Sequence, residues 1–220
     1  LQDIDSRGLA DNTIVVVYSD HGMEFFEHDT WGQGNSAVGD FSPRIPLVIH
    51  DPRKSARGRI DNVVRSIDLA PTLLELVGAP PESGMDGVSL ATCFAEQRSC
   101  PQLDAFNETG IWIADIPGLP EKHLRYPNLL ELMEVPDRAS GTLAIKAQYQ
   151  AVTLTAKDRM IRHGRWKLVY QPLDAGYLLR LFDLETDPAC QKDISALKPE
   201  VTDELWKKLQ AFLKADEKPQ

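Results

Sequence analysis

The sequence predicts an α/β fold in two parts. Residues 1–95 read as an α/β domain, and residues 96–220 as a smaller α+β subdomain with an antiparallel sheet and a C-terminal helix. Three observations predict this. The run Ile14-Val15-Val16-Val17-Tyr18 is apolar and β-branched, as a strand buried on both faces of a parallel sheet requires. The stretches Val152–Leu154, Met160–Ile161, Trp166–Tyr170 and Leu178–Phe182, with turns at His163-Gly164 and Asp174–Gly176, read as an antiparallel meander. Val201, Leu205, Leu209 and Phe212 share one face of a helix over 199–214.

Residues 1–10 read as the end of a helix stopped by Gly8, followed by the 13–18 strand. The loop over 19–42 is rich in Gly, Asp and His and long for a compact domain, which itself suggests function. A second apolar strand covers 45–50, where Pro46 restricts it to an edge or to its first residues. Residues 51–61 form a basic turn carrying Arg53, Lys54, Arg57 and Arg59, with no aromatic residues interleaved, so a solvated loop is the plain reading. Asp68 is placed to N-cap a helix over 69–78, with Leu69, Leu73, Leu76 and Val77 on its apolar face, Pro71 in its first turn and Gly78 at its stop. A loop over 79–84 follows. The 96–150 region is proline-rich, with a short helix over 128–134.

At 220 residues, 42% hydrophobic and 26% charged, the chain is long and apolar enough to bury a core, and its composition is that of a globular protein. The net charge of −9 disfavours nucleic acid or an anionic membrane as a partner. No apolar run reaches the roughly 18 residues of a membrane span. Three cysteines are too few for a disulfide framework; Cys93 and Cys100 can bridge a small loop or stay reduced. Trp112, Trp166 and Trp206 are most simply core residues, and His50, His123 and His163 structural ones. Asn107-Glu108-Thr109 fits a glycosylation sequon, a pattern short enough to arise by chance.

The chemistry concentrates just past the first strand, at Ser19-Asp20-His21-Gly22. Ligands of open α/β sheets bind outside the carboxyl ends of strands, and a carboxylate beside an imidazole suits a divalent cation. Two ligands do not close a site, however, and Asp20 as a helix cap with His21 as a loop histidine is the plain alternative. Glu24 and Glu27 are spaced to share a helical face, most simply a solvated one.

The segments Tyr18-Ser19-Asp20-His21-Gly22, Glu27-His28, Trp31-Gly32-Gln33-Gly34, Arg44-Ile45-Pro46-Leu47-Val48-Ile49, Ser66-Ile67-Asp68-Leu69-Ala70-Pro71-Thr72 and Met85-Asp86-Gly87-Val88-Ser89-Leu90 occur in an order that resembles the sulfatase branch of the alkaline-phosphatase superfamily. A fainter match continues in Arg162-His163-Gly164-Arg165-Trp166-Lys167-Leu168 and Leu181-Phe182-Asp183-Leu184. The resemblance implies the C-terminal part of an alkaline-phosphatase-like mixed-sheet α/β domain, followed by a small antiparallel sheet with a C-terminal helix. It matches Asp20 and His21 to two metal ligands of that family. Many sulfatases have Asp-Asn there with calcium; Asp-His is more similar to phosphonate monoester hydrolases and related phosphotransferases, which favour manganese. One divalent ion (manganese, zinc or calcium) is therefore expected. Gln33 stands where relatives often carry a Lys or His that contacts substrate; an amide can donate a hydrogen bond but cannot protonate a leaving group, so a loop-stabilising role stays open beside substrate binding. Arg44 is expected to be structural, ion-paired with Asp68, and His28 to pack the loop.

The family nucleophile, a formylglycine made in a C/S-x-P-x-R motif, has no counterpart here: Cys93, Cys100 and Cys190 are each followed by the wrong residues. The expectation is thus a fragment whose nucleophile and remaining ligands lie outside this chain, nearly inactive alone, with an uncovered sheet edge that favours self-association into a homo-oligomer. The implied activity is hydrolysis of a small-molecule or glycan sulfate ester. Alternatives are a phosphodiesterase, phosphonate monoester hydrolase or phosphoryl-group transferase, or a degenerate, non-catalytic sulfatase-like module. The resemblance slightly favours a periplasmic or other extracytoplasmic location.

Overall fold

A computed structural model describes residues 1–54, 57–80, 82–94, 99–112 and 116–216; Pro81 of the expected 79–84 loop lies outside them. In chain order the elements are α1 (Gln2–Ser6), β1 (Val15–Tyr18), β2 (Glu24–Phe25), β3 (Trp31–Gly32), β4 (Leu47–His50), α2 (Leu69–Leu76), β5 (Asp104–Glu108), α3 (Leu129–Leu132), β6 (Met133–Asp137), β7 (Thr142–Ile145), α4 (Ala147–Thr155), β8 (Arg159–His163), β9 (Trp166–Pro172), β10 (Tyr177–Asp183) and α5 (Pro199–Asp216). The α/β class expected from the sequence is the class observed. The chain forms two units, one of residues 1–19 and 46–105, the other of residues 20–45 and 106–220.

In the first unit β1 pairs antiparallel with β4, Val15 opposite His50 and Tyr18 opposite Leu47. Among the described residues β1 has no parallel neighbour, and Val17 and Tyr18 are more than half exposed. The apolar run still makes a strand because β-branched residues suit an extended backbone. The uncovered apolar face foreseen from the sequence is present, with Val48 exposed as well.

Asp68 is fully buried, but it does not cap α2 with its side chain. Its carboxylate instead accepts from the Arg65 guanidinium (Nη2 to Oδ1 2.7 Å), from the Arg65 amide at 2.9 Å and from the Val88 amide at 2.9 Å. The bond from the Arg65 amide braces the 3₁₀ turn before α2, and the guanidinium contacts make Arg65, not the expected Arg44, the ion-pair partner of Asp68. On α2 the buried side chains are Pro71, Thr72 and Leu76, while Val77, expected in the core, is exposed at the helix end. Arg53 grips the buried Asp51 with two hydrogen bonds of 2.8 Å and donates to the Leu76 carbonyl, satisfying an orphan acceptor of α2. The Arg53 hydrogen bonds hold the Asp51 carboxyl below its ordinary range. Cys93 and Cys100 form a disulfide.

The second unit is built on a sheet in the order β10-β9-β8-β5. Tyr177 pairs with Pro172, and His163 with Trp166, around tight turns. Side chains of a strand alternate between faces, and both faces of this sheet are used. Ile161, Leu168 and Leu181 pack against Leu205 and Leu209 of α5. Their neighbours Met160, Val169 and Phe182 pack against Ala37, Val38 and Cys190. The 36–39 segment of the long loop is therefore part of this core. Phe212 and Phe106 stack at 4.0 Å.

One strand expected from the sequence is a helix. Val152–Leu154 lie in α4, where the β-branched residues that suggested a strand satisfy their hydroxyls locally: Thr153 donates to the Tyr149 carbonyl at 2.8 Å and Thr155 to Ala151 at 3.0 Å. The short helix near 128–134 is α3, and the Asn128 side chain caps it by accepting from the Leu130 and Glu131 amides. His123 is buried, with Nε2 2.6 Å from Asp158 Oδ1, and Gln171 donates to the other Asp158 oxygen at 2.8 Å.

Candidate functional site

Asp20 and His21 begin where the chain leaves β1. His21 Nδ1 is 2.7 Å from the Gly22 carbonyl, which only accepts, so this nitrogen carries the proton and Nε2 is the basic one. Nε2 lies 3.5 Å from Asp20 Oδ2, and the other Asp20 oxygen accepts from the His21 amide at 2.9 Å. The Asp20 side chain is 83% exposed and that of His21 40%. Two donors of the right chemistry are thus turned toward one another, with the imidazole tautomer set by the backbone as in metal-ligating histidines. They fit half of a divalent-cation shell. No group of three or more His, Cys, Asp or Glu suited to a metal occurs among the described residues.

The loop around this pair is held by close backbone contacts. Gly22 donates to the Ser42 carbonyl at 2.8 Å, and a Cβ at position 22 would stand 2.0 Å from the Phe41 carbonyl oxygen, so only glycine fits. The Gly34 amide donates to Ser42 Oγ at 2.6 Å, and the Gly34 carbonyl accepts from the Gly110 amide at 2.8 Å. Gln33, exposed, precedes Gly34 directly. Ser42 therefore ties the backbone beside His21 and the backbone beside Gln33 to one residue.

Glu24 and Glu27 do not share a helical face. Glu24 sits on β2, which pairs with β3, and is 1% exposed. Burial pushes its carboxyl above the ordinary range against the pull of the Asn35 and Ser36 amides, and its Oε2 has no hydrogen-bond partner among the described residues. Glu27 Oε2 accepts from the Phe25 amide at 2.5 Å. His28 packs the loop, its Nε2 2.7 Å from the Ala189 carbonyl. Phe26, His28 and Asp29 all adopt left-handed backbone conformations, each costing on the order of 1–3 kcal/mol, a strain that concentrates at functional loops.

Two residues that the sequence did not single out complete the loop. Lys167 of β9 is fully buried; its Nζ donates to the Gly39 carbonyl and to Asp40 Oδ1, the latter at 3.0 Å. Arg162 of β8 donates to Asp40 Oδ2 at 2.8 Å. Burial raises the Asp40 carboxyl, but the charge and hydrogen bond of Lys167, then Arg162 and Arg44, outweigh it and hold the carboxyl below its ordinary range. The sequence signal for this was a single Lys inside the apolar strand Trp166-Lys167-Leu168-Val169.

Fold and loop together define a mixed α/β protein whose architecture recurs in solved structures. The fold is shared with the structure of BT4656 in complex with its substrate D-glucosamine-2-N,6-O-disulfate (TM-score 0.66, 21% identity, 100% of this chain and 38% of that one). It is shared equally with the phosphonate monoester hydrolase of Agrobacterium radiobacter (TM-score 0.65, 24% identity, 98% of this chain and 37% of that one). Residues 1–79 match the family model Sulfatase. Arylsulfatase K of Bos taurus is 28% identical over 206 residues, which is 94% of this chain and 32% of that protein. The chain thus spans about a third of the length of the curated relatives it matches.

Proposed function

We propose that this chain belongs to the sulfatase family and forms the C-terminal part of a metal-dependent hydrolase of sulfate esters. The supporting observation is the arrangement of Asp20 and His21: two oxygen and nitrogen donors 3.5 Å apart, the imidazole oriented by the Gly22 carbonyl. In this reading Asp20 and His21 hold a divalent ion, manganese or zinc before calcium because imidazole suits transition metals. The ion would supply positive charge that neutralises the ester oxygens and orients the nucleophile. The nucleophile and the remaining ligands lie outside these 220 residues. Gln33 donates a hydrogen bond to substrate from its exposed amide and leaves protonation of the leaving group to another residue. The substrate class is a small-molecule or glycan sulfate ester. The Cys93–Cys100 disulfide supports an oxidising, extracytoplasmic compartment.

Hydrolysis of a phosphonate monoester or phosphodiester is the second reading, favoured by the imidazole in the ligand pair. The test is turnover of aryl sulfate and aryl phosphate esters by the intact protein, beside an Asp20→Ala/His21→Ala variant, together with calorimetric titration of manganese, zinc and calcium. Sulfate-ester turnover and saturable metal binding, both lost in the variant, are expected. Preference for phosphate esters would select the second reading. No turnover with any ion would identify a non-catalytic module.

A further inference from the structure

We propose that Lys167 and Asp40 are positioning residues that lock the 20–42 loop, and with it Asp20, His21 and Gln33, onto the antiparallel sheet. The proposal rests on the reading of Asp20 and His21 as metal ligands. A fully buried ammonium is costly unless paired, and a core position on β9 flanked by Trp166 and Leu168 would be filled more cheaply by an apolar side chain. What Lys167 gains instead is a reach into the loop. Its Nζ holds the Gly39 carbonyl and Asp40 Oδ1, while Arg162 on the adjacent strand holds Asp40 Oδ2. Two strands thus fix both oxygens of one loop carboxylate.

The coupling to the site runs through two residues of backbone. Ser42 follows Asp40 by two positions and binds Gly22 with its carbonyl and Gly34 with its hydroxyl. Gly22 also supplies the carbonyl that orients the His21 ring. Fixing Asp40 therefore fixes Ser42, and Ser42 fixes the neighbours of His21 and Gln33. A charged pair does this better than apolar packing because two directional bonds on each partner leave one register.

The test compares Lys167→Met and Asp40→Asn with the unaltered chain by amide hydrogen exchange, and measures manganese affinity of the intact protein in the same variants. Expected are about tenfold faster exchange at the Gly22 and Gly34 amides in both variants with the Val169 and Arg180 amides, paired across β9 and β10, unchanged, and manganese binding about tenfold weaker, the usual cost of losing a residue that orients a ligand. Unchanged exchange at Gly22 and Gly34, or equal acceleration throughout the sheet, overturns the proposal, the second because it marks a purely structural role. Undiminished manganese affinity in variants with a loosened loop also overturns it. An unaltered protein that binds no manganese, but whose variants loosen selectively at Gly22 and Gly34, sinks the metal reading and leaves the lock standing as a loop anchor.

Discussion

Lys167 Nζ stands 3.0 Å from Asp40 Oδ1 across 127 residues of sequence. The pair joins a strand of the antiparallel sheet to the loop that bears the candidate ligands, and its electrostatics make a prediction about acid. The depressed Asp40 carboxyl contributes stability that is fully present above its unfolded value of about 3.9 and is lost as pH falls through the lower folded value. Asp40→Asn is expected to cost about 3 kcal/mol at pH 7 because it strands Lys167 and Arg162. Urea unfolding at a series of pH values should show this gap closing below about pH 3.9. A gap constant with pH would contradict the charge assignment.

Glu24 predicts the opposite slope. Its carboxyl is raised by burial, so the stability of its neutral form is fully present below about 4.3, the unfolded value, and is lost as pH rises through the higher folded value. Glu24→Gln keeps an acceptor for the Asn35 and Ser36 amides and removes the charge. The variant should be more stable than the parent by about 1 kcal/mol at pH 7, because it no longer buries a charge. The advantage should vanish toward pH 4, and thermal melts at both pH values decide it.

Leu168 lies fully buried between Ile161, Leu181 and the α5 residues Leu205 and Leu209. Leu168→Ala is expected to cost about 2–5 kcal/mol, since β8, β10 and α5 converge there and the cavity cannot collapse without moving the sheet. Chemical denaturation measures it, and a loss under about 1 kcal/mol would show that this core is loosely packed.

The Cys93–Cys100 bridge closes a short loop of sequence separation 7. Chain entropy assigns such a loop about 2.5 kcal/mol. A Cys93→Ser/Cys100→Ser variant, or the parent in excess reductant, should melt correspondingly lower. Identical melts with and without reductant would mean that the cysteines are not bridged in solution.

How much of this was legible beforehand depended on range. The run ending in Tyr18, the meander from Met160 to Phe182, the stop at Gly8 and the Asn128-led helix announce themselves because each signal is local. Asp20 and His21 are nominated as candidates by signals of the same local kind, side-chain type and strand-end position. The partner of Asp68 was misjudged because Arg44 and Arg65 are equivalent as residue types, and only the 3₁₀ turn over 66–68 brings Arg65 into bidentate reach. The strand assigned at Val152 failed because β-branching is a weak preference that back-bonded threonines and burial of Thr153 override. The Asp40 lock was invisible because its members are 122 to 127 residues apart.

Ser42 contacts its two glycines with different parts of itself, the carbonyl toward Gly22 and the hydroxyl toward Gly34. Ser42→Ala erases the hydroxyl and spares the carbonyl. Ser42→Ala therefore interrogates the arm of the loop that leads to Gln33 while the carbonyl bond to Gly22, beside the imidazole, remains available. The two ties of the loop are thus genetically separable at one codon.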